Sequence, residues 1–218
     1  MSFEHAMVLA AGRGERMRPL TDTVPKPLLT VRGKPLIVWH LEKLSRLGVK
    51  HVVINLAWLG NQIRAALGDG ASWRLQIRYS EEREGALETG GGIFQALPWL
   101  GAQPFLVVNA DVFTDLDFAS LQIAPDALAQ LVLVANPRHH PNGDFALVDG
   151  RVQEQGAAHW TYSGIGLYRP ELFAGCSAGR FPLLPLLRRA IAARRLHGQV
   201  FEGTWSDVGS VERLAALQ

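Results

Sequence analysis

Between residues 8 and 21 the chain reads VLAAGRGERMRPLT, an apolar run that breaks into two glycines, three arginines, a glutamate and a proline. Glycines leave backbone N–H groups open to an anion, and Arg13, Arg16 and Arg18 set positive charge beside them. A further cation, Lys26, follows in PKP at 25–27. The chemistry suited to such a loop is phosphate binding. Spacing excludes the two best-known phosphate loops. A P-loop needs Gly-Lys-Ser/Thr at a helix start, and no such triplet follows Gly12 or Gly14. A dinucleotide fingerprint needs a third glycine that opens a helix at once, whereas Met17 stands there and Pro19 follows. Far along the chain stand two carboxylates of interest. Asp111 lies just past FLVVNA (105–110), at the strand end where an open α/β sheet keeps its ligand crevice, and Asp207 follows an apolar, aromatic segment.

The elements that must position these groups are legible from periodicity. AMVLAA (6–11), HVVINL (51–56), LQIRYS (75–80), FLVVNA (105–110) and LVLVAN (131–136) read as strands, mostly buried on both faces. Between them PLIVWHLEKLSRLG (35–48) has helical spacing, with Pro35 at its start and Gly48 as its stop. LGNQIRAALG (59–68) and ETGGGIFQALP (88–98) are shorter helices, with Thr89 as an expected N-cap and Pro98 as an expected terminator. Strict alternation of strand and helix implies right-handed crossovers and a parallel sheet. After residue 136, GDFALV, GRVQEQ and YSGIGLY read as short strands of an antiparallel section on the same sheet. PLLPLLRRAIAARR (182–195) and VERLAALQ (211–218) are helices, and no Pro/Gly/Ser linker divides the chain, so one domain over 1–218 is expected.

Composition bounds the rest. With 218 residues, 48% hydrophobic and 19% charged, the chain is long enough for one α/β domain and is not a disordered one. A net charge of +2 is too small to indicate nucleic acid. One cysteine, Cys176, forms no internal disulfide, which suits a reducing cytoplasm. MSFEHAMVLAAG does not read as a signal peptide, and no apolar run approaches a membrane span.

The pattern LAAGRGERMRPLT…VPKPLLTVRGKPLI resembles the signature of the sugar-1-phosphate nucleotidyltransferases, and NADVFTD, SGIGLY and WSDVGS fit that family in order. The resemblance covers nearly the whole chain. It implies a Rossmann-like, three-layer α/β fold of GT-A-like type, with a mostly parallel central sheet and an antiparallel section. LETGGG, NADVFTD and GDFALV look most like the family's N-acetylmuramate α-1-phosphate uridylyltransferases of peptidoglycan recycling. The implied substrates are a nucleoside triphosphate, UTP, and a sugar-1-phosphate, with no nucleic-acid or membrane partner. The alternatives are a guanylyl- or thymidylyltransferase on another hexose-1-phosphate, or a non-catalytic nucleotide-sugar sensor. Sensors tend to lose the arginine, lysine or carboxylates of the signature, and Arg16, Lys26, Asp111 and Asp207 are all present. Many relatives carry a C-terminal β-helix. This chain stops soon after WSDVGS, so that module is expected to be absent and a monomer is favoured.

The resemblance also implies roles. The sugar phosphate attacks the α-phosphorus and pyrophosphate leaves, so positioning and cations matter more than a protein nucleophile. Arg16 and Lys26 are the catalytic cations, within a nucleotide site of Ala11, Gly12, Arg13, Gly14, Glu15, Arg16 and Lys26. Arg18 is read as structural or surface. Asp111 and Asp207 hold Mg²⁺, which also relieves the repulsion expected between two close carboxylates. SEEREGALETGGG (80–92) reads the base, through Glu82 and the backbone of Ala86 and Leu87, and Gly90–Gly92 mildly favour a close ligand approach. Asn109, Asp144 and Glu154 suit the sugar. Where many relatives carry a Glu-Lys-Pro lysine for the sugar phosphate, VQEQGAAHW has none, so that anchor is unassigned. RHH (138–140) is read as a solvated loop rather than a metal site. Arg188, Arg189, Arg194 and Arg195 form the wet face of a helix, and Trp39, Trp58 and Trp99 pack in the core.

Overall fold

The computed structural model describes residues 3–83 and 85–218. The first half alternates as the periodicity demands: β1 (His5–Leu9), α1 (Leu36–Leu47), β2 (His51–Leu56), α2 (Gly60–Leu67), β3 (Gln76–Glu81), α3 (Glu88–Leu100) and β4 (Phe105–Asn109). Then come β5 (Val112–Thr114), β6 (Ala129–Val134), β7 (Phe145–Val148), β8 (Arg151–Gln153) and β9 (His159–Tyr168). The chain closes with α4 (Leu184–Ala192), β10 (Leu196–Val200), β11 (Trp205–Asp207) and α5 (Val211–Ala215).

Nine strands form one sheet in the order β3-β2-β1-β4-β9-β6-β10-β8-β7. From β3 to β4 every pairing is parallel. Beyond β4 the sheet is mixed, because β9 runs antiparallel to both β4 and β6, while β10 and β6 pair in parallel. The run read as LVLVAN therefore does not sit beside β4. No crossover helix separates the two in sequence, and the long apolar β9 fills the place between them instead.

Alternation along β1 explains the layers: Ala6 and Val8 face one core, and Met7 faces the other. Ile37, Leu41 and Leu44 of α1 and Ile63 and Leu67 of α2 cover the first face. Ile93, Ala96 and Leu100 of α3 and Leu186, Leu187 and Ala190 of α4 cover the second. Two expectations about α3 fail. Thr89 is not its cap: the helix starts at Glu88 after Leu87, whose carbonyl accepts from Phe181 N–H at 3.1 Å, a tertiary tie in place of a side-chain cap. Pro98 lies inside the helix, which runs on to Leu100, because Leu100 is fully buried in the core it must reach. Trp39 and Trp99 pack as expected, but Trp58 does not join a core cluster; it lies under the Arg13 guanidinium, 4.3 Å from its centroid, and donates to Thr21 O at 2.8 Å. No described helix is long and apolar enough to cross a membrane.

Candidate active site

The carboxyl ends of β1, β2 and β4 open into a cavity of about 240 Å³ lined by Ala11, Gly12, Gly14, Lys26, Asn55, Glu82, Ala86, Glu88, Asn109 and Asp111, among others. The loop after β1 forms one wall. Gly14 sits in the left-handed region (φ 72°), and a side chain there would press within 3.0 Å of Thr21, whose hydroxyl donates back to Gly14 O at 2.9 Å. That turn folds the loop onto the PKP segment and brings a nearly buried Lys26 to the cavity.

A chain of hydrogen bonds fixes the opposite wall. Ala10 N–H donates to Asn55 Oδ1, and Asn55 Nδ2 and Leu87 N–H donate to the two oxygens of Glu82, each at 2.7 Å. Both ends of the chain are backbone donors, so the residue at 82 must accept at both of its terminal atoms, which a carboxylate does and an amide does not. Burial pushes the Glu82 pKa up, and the bonds from Leu87 and Asn55 pull it back. Gly92 belongs to this network, since a Cβ there would stand 2.8 Å from Glu82 Oε1. At Gly91 a Cβ would meet Gly179 O at 2.2 Å, and at Gly90 it would meet Phe181 at 2.6 Å. The close approach expected of these glycines is thus made by protein, not left to a ligand. Of the proposed base readers, Ala86 lines the cavity, while the N–H and C=O of Leu87 and both Glu82 oxygens already have protein partners. Glu84, within the same segment, lies outside the described residues.

The two aspartates arrive from opposite ends of the sequence. β5 pairs antiparallel with β11 so that Asp207 faces Val112, and Val208 N–H donates to Asp111 O at 2.8 Å. Each carboxylate has a basic protein partner. Lys26 Nζ donates to Asp111 Oδ2. Arg213 Nη1 donates to Asp207 Oδ1 at 2.6 Å, with His139 Nε2 3.2 Å from the same oxygen. Ser210 sets up this arrangement by capping α5 with its hydroxyl, which accepts from Arg213 N–H at 3.3 Å. Arg16 approaches the same corner, 3.2 Å from where a Cβ on Gly209 would lie.

A second cavity of about 550 Å³ adjoins the first, and Thr89 and Asn109 line both. Its other polar lining comes from Asp144, Glu154, Gln155, Tyr162 and Arg188. Asn109 has room because Gly164 of SGIGLY bears no side chain; a Cβ there would fall 2.6 Å from its amide nitrogen. Asp144 accepts from Tyr162 N–H at 2.8 Å and contacts His140 at 3.0 Å. Burial raises the Tyr162 hydroxyl, which bonds Tyr168 at 2.7 Å.

The proposed residues therefore divide. Ala11, Gly12, Gly14, Lys26, Glu82, Ala86, Asn109 and Asp111 line the first cavity; Asn109, Asp144 and Glu154 line the second. Arg13 is stacked on Trp58 and 3.4 Å from Glu15, which also pairs with Arg18; all three are solvent-exposed and outside the cavity lining. Arg18 is held at the surface by Asp22, as expected. Three sets of residues escaped the sequence reading. Asn55 was hidden as a strand-end polar residue, and Arg188 within a helical arginine cluster. His139 and His140 are not a free solvated loop, since each contacts a site carboxylate, though the described residues hold no cluster of three or more His, Cys, Asp or Glu able to bind a metal.

A crevice at the carboxyl ends of parallel strands, bounded by a glycine turn with a lysine and an aspartate, is the site of a nucleotide-handling α/β protein. The family model described as nucleotidyl transferase matches residues 5–158, and the chain belongs to that family of enzymes. It is 55% identical to the N-acetylmuramate alpha-1-phosphate uridylyltransferase of Neisseria meningitidis, over 98% of this chain and 96% of that one. It is 37% identical to the Caulobacter vibrioides protein of the same name, over 97% and 94%. Among solved structures, the inositol-1-phosphate CTP transferase from T. maritima shares the fold, with a TM-score of 0.77 at 16% identity, covering 98% of this chain and 92% of that one.

Proposed function

We propose that this chain transfers the uridylyl group of UTP to N-acetylmuramate α-1-phosphate, releasing pyrophosphate, as a cytoplasmic, monomeric, single-domain enzyme of peptidoglycan recycling on a GT-A-like scaffold. The observation that carries the reading is the pair of adjoining cavities, one walled by the glycine loop after β1 and the other lined by Asp144, Glu154, Gln155, Tyr162 and Arg188, which meet at Asn109 beside Asp111 and Lys26. Near full-length similarity to two uridylyltransferases supports the choice of substrates.

In this reading the N–H groups around Gly12 and Gly14 hold the triphosphate, and the wall fixed by Glu82 faces the base. The acceptor lies along Asn109, Asp144 and Glu154. An oxygen of the sugar phosphate forms the new bond to the α-phosphorus while the bond to the β-phosphate bridging oxygen breaks. Lys26 balances charge at the reacting phosphates, and Arg16 supports the leaving pyrophosphate. Asp111 and Asp207 are hard oxygen donors, and two carboxylates completed by substrate phosphates and water suit Mg²⁺. When bound, that ion supplies Lewis-acid neutralisation of the phosphates.

The test is pyrophosphate release by the purified chain with Mg²⁺, offering UTP, GTP and dTTP against N-acetylmuramate, glucose and mannose 1-phosphates. Turnover with UTP and the muramate is expected. Activity with GTP but not UTP would make it a guanylyltransferase, and nucleotide binding without turnover would make it a sensor.

A further inference from the structure

The acceptor cavity holds a charge for which the reaction at the phosphates has no use. Arg188 of α4 lines its rim, with Nε 3.0 Å from the Glu154 carboxylate. A contact through Nε orients the planar fork and leaves its Nη groups for another acceptor. Among the described residues Arg188 is the one Lys or Arg lining this cavity, and Lys26 lines the other. A reacting sugar phosphate must lie by Lys26 and Asp111, so Arg188, beyond Asn109 and Thr89, faces a different part of the acceptor.

We infer that Arg188, oriented by Glu154, binds a carboxylate carried on the sugar ring and selects an acidic hexosamine phosphate over a neutral one. The inference rests on the acceptor proposed above, because N-acetylmuramate bears a lactyl ether whose carboxylate is ionised at neutral pH. With side chains 59% and 44% exposed, the Arg188–Glu154 pair contributes little by itself. A sugar seated over it excludes water, and a charge-assisted contact to the fork then gains strength.

The experiment compares two acceptors of one shape, N-acetylmuramate α-1-phosphate and its lactyl carboxamide, with UTP and Mg²⁺. The wild-type chain is expected to favour the acid about tenfold or more in kcat/KM. Arg188→Gln is expected to raise KM for the acid by about ten- to a hundredfold, the range for a hydrogen bond to a charged group. It should leave KM for UTP within about twofold and bring the acid-to-amide ratio close to one, with Arg188→Lys recovering part of the preference. Equal losses on both acceptors, or an unaltered KM for the acid, overturn the inference. So does acid–amide equality in a wild-type chain that makes the UDP-sugar, which leaves the proposed function standing. A wild-type chain that uses neither acceptor but another sugar phosphate overturns both.

Discussion

The two cavities that meet at Asn109 and Thr89 are built in opposite ways. The nucleotide side is walled largely by short continuous segments at the ends of parallel strands, where main chain and one hydrogen-bonded chain of Asn55 and Glu82 set the shape. The acceptor side gathers Asp144, Glu154, Tyr162 and Arg188 from the mixed part of the sheet and from α4. Main chain at the glycine loop suits what all nucleoside triphosphates share, their phosphates. Side chains on separate elements can be exchanged one at a time without moving the scaffold, so on the proposed reading the choice of acceptor resides there.

Breaking the nucleotide side should have the largest effect. Lys26→Ala and Asp111→Ala are each expected to lower turnover at least about a hundred- to a thousandfold, the cost of removing a preorganised charge contact. Circular dichroism should stay unchanged. Near wild-type pyrophosphate release in either would erase the division. Chelation by EDTA should stop turnover as completely, with recovery on adding Mg²⁺.

Asn109→Ala sharpens the boundary. Loss of one side-chain contact should raise KM for the sugar phosphate about tenfold, with a smaller change for UTP. A larger change for UTP would assign Asn109 to the nucleotide.

Glu82→Gln tests whether the nucleotide wall is scaffold rather than reader. It leaves a buried donor facing a donor and should cost about 1–3 kcal/mol in a urea melt. Unchanged stability with altered base preference would make Glu82 a direct reader.

The smallest effect should come from Arg13→Ala. Loss of its stacking on Trp58 is worth about 0.5–1 kcal/mol, and KM for UTP should move less than twofold.

The same contrast decides what was legible in the sequence. HVVINL became β2 residue for residue, because a parallel strand buried from Val52 to Leu56 carries a nearly continuous apolar signal. That Gly12, Gly14, Lys26 and Asp111 come together at one cavity was readable since each belongs to one contiguous motif. The place of β9 between β4 and β6 was not, because strand pairing at long separation leaves no local mark. For the same reason Arg188 passed for a solvent-facing helix residue: its exposure was right, and its neighbour Glu154 stands 34 positions away. Pro98 misled by rule, since burial of Leu100 outweighed its missing N–H.

Lys26 on Asp111 and Arg213 on Asp207 give each carboxylate of that corner a protein cation before any substrate arrives. A free divalent ion would have to turn out a protein cation at each carboxylate, with no anion to receive it. A triphosphate carrying its own counter-ion brings the anion that the released ammonium and guanidinium require. If the two aspartates take up the ion as proposed, uptake of ion and nucleotide would be thermodynamically coupled, each raising the affinity for the other by the same factor. On the proposed reading the corner would work as an ion exchanger that stays idle until both arrive.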